Sequence, residues 1–130
     1  MDSNSQEKKK NIMYDLIVLQ ISNLIKDIRV VFPRDIVYKV LQDNIPCFQK
    51  NKVDVILYLK NNISTDIKKL VTEKNNSLFD SDNKSLKNIK FKRSEYVFNK
   101  VRTSWSKLDD TQRQVIWKYL NFILVLLDKV

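Results

Sequence analysis

Histidine and glycine are both absent from the 130 residues. The first absence removes histidine-based triads, histidine metal ligands and the commonest general base. The second removes phosphate-cradling P-loops, dinucleotide fingerprints and nucleophile elbows, all built on backbone that glycine permits. It also argues against tight hairpins and bulges, hence against a β-rich fold. Helix ends then need another residue that tolerates a left-handed backbone. Asparagine is the usual substitute, and it stands where required at Asn44, Asn61, Asn62, Asn75 and Asn76. Cysteine occurs once, at Cys47, so no internal disulfide can form, which fits an intracellular reducing compartment. Next to Phe48 that thiol reads as a small core residue. Proline occurs only at Pro33 and Pro46.

What is present is helical periodicity. From Ile12 to Phe32, with Asn11 as its cap, apolar residues recur at Tyr14, Ile17, Ile21, Leu24, Ile28 and Val31 in steps of three and four. Pro33 ends that helix and can open the next, which carries Ile36, Val37, Val40 and Leu41 and stops near Asn44. Ile45-Pro46 reads as a second break. A third helix is expected over about residues 49–61, with Val53, Ile56, Leu57 and Lys60 on one side. Ser64 has the character of an N-cap for a short fourth helix buried through Ile67, Leu70 and Val71. Ser94 can cap a fifth, running to Lys107. A closing helix follows from Leu108, where Asp109 and Gln112 have the capping-box spacing.

These elements predict an all-α fold, a single-domain helical bundle of about five to six helices over residues 11–130. Its simplest core is an antiparallel pairing of the first, fifth and closing helices. Residues 1–10 are polar, end in a lysine triplet and read as a disordered basic tail rather than a signal peptide. Residues 75–93 have weak periodicity and read as a long connection, and such loops are often functional.

The closing helix is apolar around most of its circumference, through Val115, Ile116, Trp117, Tyr119, Leu120, Phe122, Ile123, Leu124, Val125, Leu126 and Leu127. Such a helix is buried among others or against a partner. It is too short for a membrane span and carries Lys118 and Asn121. Its last turns, with Phe122, Val125 and Leu126, are the candidate partner interface, for another protein or for a homo-oligomer.

The net charge of +9 is concentrated. Residues 84–107 hold Lys84, Lys87, Lys90, Lys92, Arg93, Lys100, Arg102 and Lys107 against Glu95 alone. Such a run is a candidate site for an anion: nucleic acid, an acidic protein face or an anionic membrane surface. Phe91, Tyr96, Phe98 and Trp105 lie within it and could stack on bases, although their helical spacing favours reading them as core. Carboxylates offer little chemistry. Asp80 and Asp82 could touch a divalent cation, but the EF-hand pattern is missing, and Asp109 and Asp110 are explained as caps. The sequence therefore predicts no catalytic residues, no metal and no cofactor, and a protein that is not an enzyme.

Several of these residues also form a recognisable pattern: Leu24-Ile25-Lys26-Asp27-Ile28 leading to Phe32-Pro33, the segment from Glu73 to Phe79, then Ile89 and Phe91 ahead of a helix. It ends in Trp105, Leu108, Thr111, Arg113 and Ile116-Trp117-Lys118-Tyr119-Leu120. In this the chain resembles a family of small helical proteins, without an established activity, from nucleocytoplasmic large DNA viruses. It departs from the family in the loop, which lacks glycine and proline and is unusually basic. The resemblance implies a viral origin and a place in the host cytoplasm, a viral factory or the virion. It implies no catalytic residues. The leading expectation is a non-enzymatic interaction module binding a viral or host protein, and the alternative is non-specific binding of nucleic acid through residues 84–107.

Overall fold

The computed structural model describes the backbone of residues 3–79 and 92–130, and the side chains of residues 5–79 and 99–130. The fold is all-α: among the described residues there are seven α-helices, one 3-10 turn and no strand. In chain order they are α1 (Ser3–Val31), α2 (Ile36–Asp43), α3 (Ile45–Lys50), α4 (Lys52–Asn62) and α5 (Thr65–Thr72). The 3-10 turn (Asn76–Phe79), α6 (Lys92–Trp105) and α7 (Asp110–Asp128) complete the series. They form two compact units. The first comprises Met1–Lys60 with Phe122–Val130, the second Asn61–Asn121. In the first, α1 packs with α2 and α3; in the second, α6 packs with the 3-10 turn and α5 does likewise.

The first unit is organised on α1. Ile17, Val18 and Ile25 line its buried face, with Ser22 among them. That serine would be an isolated hydroxyl in an apolar core, but its Oγ donates to the Val18 carbonyl one turn back at 2.7 Å, which satisfies it within the helix. The helix begins at Ser3, not Ile12, so the segment expected to be a disordered tail is helical, with residues 5–10 exposed. Gln, Glu and Lys at residues 6–10 are good helix formers, and Asn11 in a helix interior costs only a few tenths of a kcal/mol more, roughly 0.5. Pro33 does end α1, but it does not open α2. Asp35 is the N-cap instead, its carboxylate accepting from the Val37 N–H at 3.0 Å. Phe32 stacks on the buried Tyr38 at 5.7 Å between ring centres.

Pro46, read as a break, lies in the first turn of α3, where its missing N–H has no helical partner to lose. The expected third helix is in fact two, divided at Asn51, whose side-chain amide donates to the Cys47 carbonyl at 2.9 Å. Cys47 is exposed, contrary to its reading as a core residue. On α4 only Ile56 is buried, while Val53 and Leu57 are 47% and 52% exposed. The tail of α7 contributes Ile123, Leu124, Leu126 and Leu127 to the buried set of this unit. Lys60 of α4 donates its ammonium to the carbonyl of Val130.

The second unit is built on aromatic contacts. Phe79 stacks on Trp105 with ring centres 4.3 Å apart, and Trp105 meets Trp117 edge-on at 5.2 Å. Phe79 also leans on Trp117 at 5.6 Å. Such pairs add roughly 0.5–1.5 kcal/mol each beyond the area they bury. Ile67, Val71, Leu78, Leu108 and Ile116 complete the buried set. Ser64 caps α5 as its sequence position predicts, accepting from the Ile67 N–H at 3.2 Å. The far end of α5 closes as a Schellman motif: Lys74 N–H bonds the Val71 carbonyl at 3.0 Å, and Asn75 N–H the Leu70 carbonyl at 2.9 Å. The left-handed position of that motif is taken by Lys74, at φ 52°. It is the sole positive φ among the described residues, so asparagine does not fill the role expected of it. Asn44 ends α2 in right-handed geometry, and Asn75 instead accepts the Ser77 N–H on its side chain at 3.0 Å. Ser94, expected as a cap, falls inside α6, which starts at Lys92.

Candidate partner-binding surface

The position of α7 is set at its start by a reciprocal capping box. The Asp109 carboxylate accepts from the Gln112 N–H at 2.8 Å, and the Gln112 side-chain carbonyl accepts from the Asp109 N–H at 3.0 Å. Two orphan donors of the first turn are thus satisfied by the two residues whose spacing announced them. One turn on, Arg113 reaches back to the end of α6. Its Nε and Nη2 both donate to the Trp105 carbonyl, at 3.2 and 2.8 Å. Its guanidinium carbon lies 5.2 Å from the centre of the Trp105 ring. A single cation therefore caps the C-terminus of α6 and covers the indole that ends it. Further along, the Asn121 side-chain amide donates to the Val71 carbonyl at 3.0 Å and to the Trp117 carbonyl at 2.9 Å, fixing the rotation of α7 about its axis.

That rotation divides the apolar circumference of α7. Ile116, Trp117, Ile123, Leu124, Leu126 and Leu127 are buried. Phe122 and Val125 are 45% and 51% exposed, and Val115 is 40% exposed. Two of the three sequence-predicted interface residues, Phe122 and Val125, therefore face solvent one turn apart. Leu126 does not: at 4% exposure it belongs to the core. The step from Val125 to Leu126 turns the side chain about 100° around the helix, enough to move it from the wet face to the packed one.

The basic run is only partly described. Lys84, Lys87 and Lys90 lie outside the described residues, as do Asp80 and Asp82. Lys92 and Arg93 open α6, with side chains outside the described set. Lys100 is half-buried and already engaged in a polar interaction. Arg102 is half-buried too: one terminal nitrogen donates to Asn99 Oδ1 at 3.4 Å, and its Nε is buried without a partner. Of the aromatics in the run, Trp105 is buried. Phe91, Tyr96 and Phe98 have side chains outside the described residues.

Among the described residues, no helix is long and apolar enough to cross a membrane, and no cluster of three or more Cys, Asp or Glu side chains could hold a metal ion. Compared with family models, with curated proteins and with solved structures, the chain matches none.

The residues that sequence reasoning passed over are Val115, Lys118 and Lys129. Val115 and Lys118 are exposed on α7 and Lys129 is exposed just past its end at Asp128, and with Phe122 and Val125 they alternate in steps of three and four along the chain. That spacing was available as a signal, but on a helix apolar nearly all round it competes with the buried stripe.

Proposed function

We propose that this chain is a non-enzymatic helical interaction module that binds a protein partner through the exposed face of α7. The viral resemblance suggests the setting, an assembly or factory of a large DNA virus. The observation that carries the reading is the exposure of Phe122 and Val125, at 45% and 51%, beside Ile123, Leu124, Leu126 and Leu127, which are packed. An apolar pair one turn apart on a fixed helix supplies the anchor that helix-mediated recognition uses. The alternative, non-specific binding of nucleic acid through residues 84–107, has less behind it. Lys100 is engaged, and the Arg102 Nε is buried, whereas phosphate binding uses open cations.

Affinity capture from cells making the protein, with and without nuclease, tests the reading when wild type is compared with a Phe122→Asp/Val125→Asp variant. The expected result is a protein partner retained after nuclease and lost in the variant. Retarded migration of DNA or RNA that is steeply salt-dependent, and abolished by charge reversal at Lys90, Lys92 and Arg93, would transfer the function to the basic run.

A further inference from the structure

The corner between α1 and α2, inside the first unit, exposes apolar surface of a different kind. Val30 and Ile36, at 78% and 69%, are the two most exposed large apolar side chains among the described residues. They flank a tight turn closed by the Asp35 N–H, which donates to the Phe32 carbonyl at 3.1 Å. Such a turn holds its first and last residues within about 7 Å. Phe32, stacked on the buried Tyr38, anchors it from inside. Val31 and Pro33 are exposed beside the turn, and Val40 is exposed one turn into α2. Along each helix a lysine stands one turn back from the corner: Lys26 four residues before Val30, and Lys39 three after Ile36. That is about 5–6 Å along a helix axis. Arg34 lies in the turn itself. All three cations are exposed, and among the described residues none makes a hydrogen bond or an ion pair. The neighbouring carboxylates are placed otherwise. Asp35 caps α2, Asp27 is already engaged, and Asp43 stands at the far end of α2.

We propose that this corner seats on an anionic lipid surface. Side chains this exposed on both sides of a turn project outward, and a bilayer surface deforms around them. Apolar groups that bind there sink about 5–10 Å into the boundary between headgroups and acyl chains. At that depth a lysine one turn back reaches the headgroup phosphates, its stem lying along apolar surface. Lys26, Lys39 and Arg34 are thus the cations that meet anionic headgroups, and being unpaired they give up no partner to do so. A second copy of this chain is the poorer occupant, because it brings the same three cations against their own kind. The site is independent of the protein-binding reading of α7.

The test co-sediments the full chain with vesicles of phosphatidylcholine alone, and with vesicles to which phosphatidylserine has been added. Binding is expected to the second kind, weakened by salt. Lys26→Gln/Lys39→Gln should weaken it by roughly 25-fold, about fivefold for each cation withdrawn from the surface. Val30→Asp/Ile36→Asp should weaken it by at least roughly tenfold, through loss of apolar insertion. The lysine pair carries the test even if the aspartate variant fails to fold. Phe122→Asp/Val125→Asp should bind vesicles as the wild type does. No binding to either kind of vesicle overturns the proposal. So does wild-type binding by both corner variants, since the basic run over residues 84–107 is then what meets the lipid. A protein captured from cells by wild type and lost in Val30→Asp/Ile36→Asp, with vesicles ignored, overturns it too, the occupant then being an acidic protein. None of these outcomes touches the α7 reading, which stands or falls on capture with Phe122→Asp/Val125→Asp.

Discussion

Replacing Lys74 by glycine is expected to stabilise the second unit. Lys74 sits at φ 52°, where the Cβ of an L-residue crowds the following carbonyl at a cost of about 1–2 kcal/mol. The chain cannot relax out of this turn without giving up the two backbone bonds that close α5, Lys74 to Val71 and Asn75 to Leu70. Glycine removes the crowding but loses more backbone freedom on folding, roughly 0.5–1 kcal/mol. The lysine side chain adds one exposed contact, 3.4 Å to Gln114 Oε1, too long and too wet to alter the balance. The net gain is about 0.5–1 kcal/mol, or roughly 2–5 °C in Tm for a chain of this size. Lys74→Ala is the control, because it keeps the Cβ while discarding the ammonium, and it should stay within about 0.5 kcal/mol of wild type. Urea unfolding followed by tryptophan fluorescence reads the effect directly, since both tryptophans of the chain, Trp105 and Trp117, lie in the same unit as Lys74. A glycine variant no more stable than the alanine one would refute the left-handed turn at this position.

Other expectations follow from the same contacts. Trp117→Ala removes a 1%-exposed ring that touches both Phe79 and Trp105 and should cost about 3–5 kcal/mol, with loss of the near-ultraviolet circular dichroism of the cluster. Arg113→Lys keeps the charge but not the fork that gives two bonds to the Trp105 carbonyl. It should cost about 1–2 kcal/mol by denaturant titration. Asp109→Ala and Gln112→Ala should each cost roughly 1 kcal/mol or less and combine to less than their sum, a double-mutant cycle that measures the capping box. Leu126→Asp should unfold the first unit, whereas Phe122→Asp should change stability by no more than about 0.5 kcal/mol. Equal damage from the two would contradict the assigned rotation of α7.

The helical class was legible because missing glycine and regular apolar spacing point the same way, and two caps were readable to the residue. Ser64, and Asp109 with Gln112, signal through a short polar side chain whose reach is local. What escaped the sequence depends on tertiary context. Asparagine tolerates the left-handed region, yet the Schellman turn fell on Lys74 because the length of α5 decides which residue occupies that position. Asn11 has the chemistry of a cap, but good helix formers on both sides carried α1 through it. Val53, Ile56 and Leu57 share a stripe on α4, and nothing local says that only Ile56 will be covered. The same ambiguity governs the candidate site. Phe122, Val125 and Leu126 are all apolar neighbours on one helix, and nothing local says that only Leu126 will be covered.

The first unit is discontinuous in sequence: Ile123, Leu124, Leu126 and Leu127 join it only after the intervening Asn61–Asn121 has been made. At about 5–20 residues per second, translating that interval takes roughly 3–12 s. During this time α1 to α4 exist as a nascent chain still missing those four apolar side chains. The second unit, by contrast, is one uninterrupted stretch, able to collapse on itself as soon as it emerges. The chain is therefore expected to consolidate from its middle outward, leaving its N-terminal helices exposed to chaperones and proteases until the last turn of α7 is synthesised.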